Sequence, residues 1–584
     1  MKGKIGIRPV IDPRPGARES VEGKAMTMAL KAKELIEKNV FYMDGTPAEC
    51  VIAETPIAGC ADAVRVAEQF SKENIVATLT VTPIFCYGTE TFDMDPYTLK
   101  AVWGFNGTER PGAVYLACAM SGYAERGLPA FSVYGKDVRD LDDDEIPDDV
   151  RQHLLRFARG AVAVGQMRNT SYVSIGNVAM GIPGSMMEPQ ILQEYFGMRA
   201  EWVDMVEVLR RIEKGIYDES EFRKALSWVK SHIREGKDIC NPAGKGHDRA
   251  ALDRDWEFSV KMALVFRDIL CGNPVLAKMG YKEESLGRGA IAGGFQGQRQ
   301  WTDFLPNGDF AESILNSSFD WNGARRPIAF ATENDTLNGI TMLLQQLLTG
   351  QASVFADVRT YWSPASVERA TGVRLSGKAA GGFIHMNNSG AAALDGAGAM
   401  KKDGIPLMKR WWEVTDADIS STLAEVTYSP AKLEYFRGGG FSSHFVTRAE
   451  MPMTMMRLNR IYGAGPVLQV VEGYSVELPE RVSAAIEART DPSWPTTFFA
   501  PRPAAGMEDA YEVMAKWGAN HCCLTYGHIG ADVLTLASML RIPVCMHNVD
   551  RKDIFRPHVW DAFGTKNAEG ADFAACKAFG PLYR

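Results

Sequence analysis

Short runs of strand-forming apolar residues alternate with helix-length stretches through the first 350 residues. This alternation limits the fold more than any other feature. Residues 4–11, 51–53 and 75–81 are strand-length apolar runs. Residues 19–38 and 62–73 lie between them and are helix-length, the first carrying Val21, Met26, Met28, Leu30, Ala32 and Leu35 as apolar positions. A helix between two strands returns the chain to the same edge, so such a region builds a parallel sheet with crossovers. The pattern resumes from about 171 to 350, with strands predicted at 172–175 and 200–203 and helices at 206–214, 219–233 and 256–270. From about residue 351 the texture changes. Glycines cluster at Gly381-Gly382 and Gly438-Gly439-Gly440, and short apolar segments such as 467–471 sit between turn signals, which predicts a β-rich, barrel-like domain. A strand (522–526), a helix (531–541) and a strand (542–547) follow. The expected division is 1–167 α/β, 168–348 α/β and 349–584 mainly β.

At 584 residues, with 46% hydrophobic and 23% charged, the chain buries a large core without disulfides or structural metal. A net charge of -8 argues against nucleic-acid partners, since phosphate binding needs a basic footprint. The densest acidic stretch, Asp140 to Glu145, reads as a solvated loop before a helix starting near Pro147. Ten dispersed cysteines without a CxxC pair fit a reducing cytosol. The N-terminus reads as a strand rather than a signal peptide, and no run of 18 apolar residues predicts a membrane span. A cytoplasmic protein with no membrane partner is expected. The first strand-to-helix turn, residues 11–16, lacks G-x-G-x-x-G, and the five glycines of 287–297 lack the Walker lysine, so neither is read as a nucleotide site.

Three segments could carry chemistry. In Phe330-Ala331-Thr332-Glu333-Asn334-Asp335 an apolar strand ends in a carboxylate. Ligands in open α/β sheets bind at the carboxyl ends of strands, so Glu333 is well placed. The alternative is a helix cap, the role expected for Asp335. In Val354-Phe355-Ala356-Asp357-Val358-Arg359 a carboxylate interrupts a run of strand formers and must be paired or bound to metal; an ion pair to Arg359 is the plain alternative. His521 precedes the apolar Cys522-Cys523-Leu524, as a ligand or as a hydrogen-bonded structural histidine, with His528 and His547 as further candidates. No spacing rule connects positions 333, 357 and 521.

Longer segments resemble the L-fucose isomerase family over essentially the whole chain. They include Gly6-Ile7-Arg8-Pro9-Val10-Ile11-Asp12, Asp93-Met94-Asp95-Pro96, Trp103 through Ala113, and Gly294-Phe295-Gln296-Gly297-Gln298-Arg299. Ala331-Thr332-Glu333-Asn334-Asp335, Phe355 through Pro364, Tyr435 through Gly440, Ser493-Trp494-Pro495-Thr496-Thr497 and Gly518-Ala519-Asn520-His521 complete the set. The resemblance implies two Rossmann-like α/β domains, the first serving substrate recognition, then a mainly β barrel. It further implies a homohexamer whose active site can be shared between subunits, and manganese as cofactor, with magnesium or cobalt as alternatives. By segment match the metal ligands fall on Glu333, Asp357 and His521, the two carboxylates doubling as catalytic acid and base. The sugar contacts fall on Gln296, Tyr435, Trp494 and Asn520, with Arg8 and Phe85 added from the first domain. Position 85 departs from the family, where tryptophan is expected, and that bears on substrate preference rather than reaction class.

The implied reaction converts L-fucose to L-fuculose, and D-arabinose to D-ribulose, through an enediol. A C–H beside a carbonyl is weakly acidic, so developing charge on oxygen needs stabilising, which a divalent ion does as a Lewis acid. Two carboxylates and one imidazole form a hard donor set suited to manganese or magnesium. Two other classes stay open at this level: a sugar-binding protein, which needs no metal, and a metal-dependent aldolase or epimerase, which also stabilises an enediolate.

Overall fold

The computed structural model describes residues 2–584, apart from the side chains of Thr89 and Glu90. The first region forms strands β1 (Lys4–Pro9), β2 (Cys50–Ile52), β3 (Ile75–Thr82), β4 (Leu99–Gly104) and β5 (Ala130–Tyr134). They build one parallel sheet in the order β2-β1-β3-β4-β5. Ile7 faces Ile52 on one side and Leu79 on the other, so the apolar runs align across the sheet. Helices Ala17–Asn39 and Asp148–Met167 cover one face and helices Cys60–Ser71 and Gly112–Glu125 the other, which is why β1 and β3 are buried almost throughout rather than alternating.

Strands β6 (Ser171–Ile175), β7 (Arg199–Val203), β8 (Ala290–Phe295) and β9 (Ala329–Ala331) form a second parallel sheet, ordered β9-β8-β6-β7. Helix Arg249–Cys271 starts seven residues before the predicted 256 because Asp248 caps it through Ala251 N. It buries one face of this sheet, and helix Thr336–Thr349 the other. The glycine-rich stretch 287–297 is largely the buried strand β8. At Gly294 a Cβ would meet Asn334 Oδ1 at 2.7 Å and the Tyr172 hydroxyl at 2.8 Å, so the glycine lets the Glu333 loop pack against the sheet.

Apart from three short two-stranded pairs, the next strands are β10 (Val354–Trp362), β11 (Phe383–Asn387), β12 (Pro452–Ile461), β13 (Gly465–Ser475), β14 (Thr496–Pro501) and β15 (His521–Tyr526). They run β12-β15-β10-β11-β14-β13 and close by pairing β13 with β12, a six-stranded antiparallel barrel. A short strand β16 (Val544–His547) adds parallel to β13. All six barrel strands send residues into one apolar cluster, among them Ala356, Met386, Met455, Val471, Phe499 and Cys522; these fill the interior. The alternate residues face outward. Phe355, Met456 and Cys523 pack in the cluster that holds helix Thr336–Thr349, and Phe383 and Phe498 pack with Val367 and Val482 from flanking helices.

The barrel and second sheet are stitched by polar contacts of that helix. Asn338 Nδ2 donates to the Cys522 carbonyl at 3.0 Å, and Leu458 N donates to Thr341 Oγ1 at 2.9 Å. Beyond the barrel, helix Gly530–Leu540 returns to the first domain, where Arg159 pairs with Asp532 at 2.7 Å. Among the described residues no helix is long and apolar enough to cross a membrane.

Candidate functional site

Parallel strands β8 and β9 end side by side, and Gln296 and Glu333 leave their carboxyl ends. The chain after β9 turns sharply: Glu333 has φ 59° and Asn334 φ 48°. Side chains with a Cβ avoid this left-handed region, at a cost of about 1–2 kcal/mol each. The turn is held by Asn334, which accepts from the Tyr172 hydroxyl (3.3 Å) and donates to the Asn177 carbonyl (3.2 Å). Thr332 Oγ1 donates to Glu312 Oε2 at 2.8 Å. The strained turn pushes the Glu333 carboxylate out of the sheet toward the barrel.

On the barrel, His521 and Asp357 are directly paired across β15 and β10. Both precede or follow interior residues by one, so both side chains lie on the outer face, toward the second sheet. There His521 Nε2 lies 3.4 Å from Glu333 Oε2 and 3.3 Å from Asp357 Oδ1. The ion pair to Arg359 considered for Asp357 does not form; Asp357 faces His521 instead.

The opposite edge of the imidazole is fixed. His521 Nδ1 donates to Asp335 Oδ2 at 2.7 Å. Asp335 also caps helix Thr336–Thr349 through Asn338 N at 3.0 Å and accepts from buried Arg457 Nη1 at 2.6 Å. Arg457 Nη2 in turn donates to the Gly184 carbonyl at 2.8 Å. Burial pushes the Asp335 carboxyl up, but Arg457 and His521 outweigh it and hold Asp335 below the usual range. Burial likewise opposes charge on His521, yet its hydrogen bonds to Asp335, Asp357 and Glu333 hold its pKa well above the ordinary value. Nearby, burial raises the Glu312 carboxyl to about 8 and lifts Asp309 well above the normal range; Glu333 adds to both.

The other residues singled out from sequence fall in three places. Gln296 Oε1 accepts from Asn177 N at 2.8 Å, at the same sheet edge as Glu333. Asn520 adjoins the cluster, its Nδ2 2.9 Å from His521 Nε2. Tyr435 and Trp494 pair with ring centroids 6.1 Å apart, and Trp494 Nε1 is buried without a hydrogen-bond partner. Trp494 stands two residues before Thr496, which pairs with Asn387, which pairs with Asp357. Arg8 and Phe85 lie in the first domain. Arg8 reaches Thr80 and lines a cavity with Phe70, Asp93 and Arg168, and Phe85 packs against that domain's core. Their contacts within the chain do not include Glu333, Asp357 or His521. His528 bonds the Gly473 carbonyl and His547 faces Glu569, so neither joins the cluster.

Family models for L-fucose isomerase match the chain almost end to end: the first N-terminal domain over residues 2–169, the second over 170–350 and the C-terminal domain over 386–547. The chain belongs to the L-fucose isomerase family. It is 56% identical to L-fucose isomerase of Clostridium perfringens over all of this chain and 99% of that protein. The Bacteroides thetaiotaomicron enzyme of the same name is 55% identical, and one from Streptococcus pneumoniae 54%, with the same coverage.

The donor set suits a divalent cation. Among the described residues no group of three or more His, Cys, Asp or Glu side chains is arranged to hold a metal ion as it stands. What stands here is open: one imidazole nitrogen with a carboxylate oxygen on either side. His521 Nε2 lies 3.4 Å from Glu333 and 3.3 Å from Asp357, and an imidazole nitrogen beside hard carboxylate oxygens is a donor set that would suit a divalent cation. Anchoring Nδ1 on Asp335 leaves Nε2 facing Glu333 and Asp357, the support a ligating histidine would need. Asp335 was readable only as a cap. Arg457 carried an unread signal, a charge inside the apolar run of β12, which implies a buried partner.

Proposed function

We propose that this chain interconverts L-fucose and L-fuculose, and D-arabinose and D-ribulose, as a metal-dependent ketol isomerase. Family membership over the full length supports the L-fucose reaction. The observation that carries the site is His521 Nε2 standing within 3.4 Å of both Glu333 and Asp357 while Asp335 holds its other nitrogen.

Glu333, Asp357 and His521 would hold manganese, with magnesium or cobalt as substitutes. When bound, the cation acts as a Lewis acid toward the two reacting sugar oxygens. Asp335 keeps the His521 ring in one orientation and tautomer. Of the two carboxylates, one accepts the proton leaving C2 of the open-chain aldose and the other supplies the proton arriving at C1. The intervening species is an enediol. Asn520 and Gln296 offer amides to sugar hydroxyls, and the Tyr435–Trp494 pair offers aromatic faces to the apolar C–H side. Arg8 and Phe85, remote within one chain, fit a homohexamer in which a neighbouring subunit completes the pocket.

Carbon-13 NMR of L-fucose incubated with the protein and manganese should show L-fuculose, with the signal abolished by EDTA and restored by the ion. A cleaved or epimerised product would replace this reading with an aldolase or epimerase. Glu333→Gln should lower kcat by at least about 1,000-fold with an unchanged circular dichroism spectrum. Wild-type turnover in that variant would remove Glu333 from the chemistry.

A further inference from the structure

Across the outer face of the barrel, four directly paired residues form a row on strands β15, β10, β11 and β14: His521, Asp357, Asn387 and Thr496. Paired residues of antiparallel strands point to the same side, and neighbouring strands stand about 4.8 Å apart. Asn387 therefore points to the same face as the Asp357 carboxylate, one strand further from His521. It is 2% exposed, and neither its amide oxygen nor its amide nitrogen has a hydrogen-bond partner in the protein. Its neighbour Asn388 is paired instead: its Nδ2 bonds Thr332 Oγ1 and the Phe355 carbonyl, both at 3.3 Å. A buried carboxamide left wholly unpaired costs stability, so its place next to a reactive carboxylate calls for a ligand that supplies both partners.

We infer that Asn387 is a specificity-determining residue that binds a hydroxyl of the sugar chain just beyond the reacting carbons, the 3-hydroxyl. The inference rests on the isomerase reading above. A hydroxyl both donates and accepts, and a carboxamide answers both roles. With the first two sugar oxygens held at Glu333, Asp357 and His521, a sugar chain lying along the row passes Asn387, one strand beyond Asp357. Trp494, two residues before Thr496, also presents an unpaired buried N–H in this region, so the row continues toward an aromatic wall.

Asn387→Leu keeps the branched heavy-atom skeleton and removes both hydrogen-bonding functions. It should lower kcat/KM for L-fucose about 10- to 100-fold. Manganese per chain, by elemental analysis, should stay unchanged, and Tm should hold or rise, because the unpaired amide is gone. A purely structural asparagine would lose Tm instead. Asn387→Ala should lose as much kcat/KM as Asn387→Leu, whatever its stability. The wild type should prefer L-fucose to its 3-deoxy analogue, and Asn387→Leu should erase that preference. Three results would each overturn the assignment: kcat/KM within twofold of wild type, manganese lost along with activity, or an undiminished preference against the 3-deoxy sugar. A wild type that fails to isomerise L-fucose would instead overturn the functional reading, and this inference with it.

Discussion

Asp335 does three jobs with two oxygens. One caps a helix, and the other accepts from both the imidazole of His521 and the guanidinium of Arg457. With the pair fully buried, removing one charge strands the other, a loss of about 3–5 kcal/mol. Asp335→Asn should therefore lower Tm and weaken manganese binding about 10- to 100-fold. Adding Arg457→Met should recover much of the stability, since no buried charge then lacks a partner, while manganese affinity stays low. Thermal melts read beside metal titrations separate the two effects. Recovery of both together would mean that Asp335 acts on the metal site only through general stability.

Two kinds of element meet at the site, and each contributes what its geometry allows. Parallel strands release their functional groups at one edge, so Gln296 and Glu333 come from adjacent strand ends. Antiparallel barrel strands present groups in rows, so His521 and Asp357 come from facing positions. The Glu333 turn depends on the space left by Gly294. Gly294→Ala would drive a methyl into Asn334 Oδ1 and the Tyr172 hydroxyl, displacing the residue that anchors the turn. It should cost about 1–3 kcal/mol of stability and move Glu333, lowering kcat more than it raises KM. A variant with wild-type kcat and reduced Tm would show that the turn adapts around the methyl.

Neither unit holds the whole cluster: Glu333 belongs to the second sheet, and Asp357 and His521 to the barrel. A cation held by groups from both units, as proposed, would favour the docked arrangement and therefore the folded state. Manganese should raise the unfolding free energy with the logarithm of its concentration above Kd, by about 2.7 kcal/mol at a hundredfold excess, and Tm should rise with it. Differential scanning calorimetry at several manganese concentrations measures this. A Tm indifferent to manganese would argue against an ion spanning the seam.

Much of the architecture was legible in order along the chain. Helix-length stretches between apolar runs marked both parallel sheets, because period and length are local properties. The apolar strand before Glu333 and the carboxylate inside the Asp357 strand stood out for the same reason: desolvating a charge demands a purpose that neighbouring residues do not supply. A barrel-like domain was legible, but which strands close it was not, since pairing β12 with both β13 and β15 depends on register between distant segments. Nor was the second role of Asp335, the tie from Arg457 to Gly184, or the unpaired amide of Asn387. Sequence determined which residues carry the needed chemistry and which segments form strands and helices. Only the tertiary structure decided which of those groups share a face, because distances between strands far apart in the chain are set by packing and hydrogen-bond register, not by spacing along it.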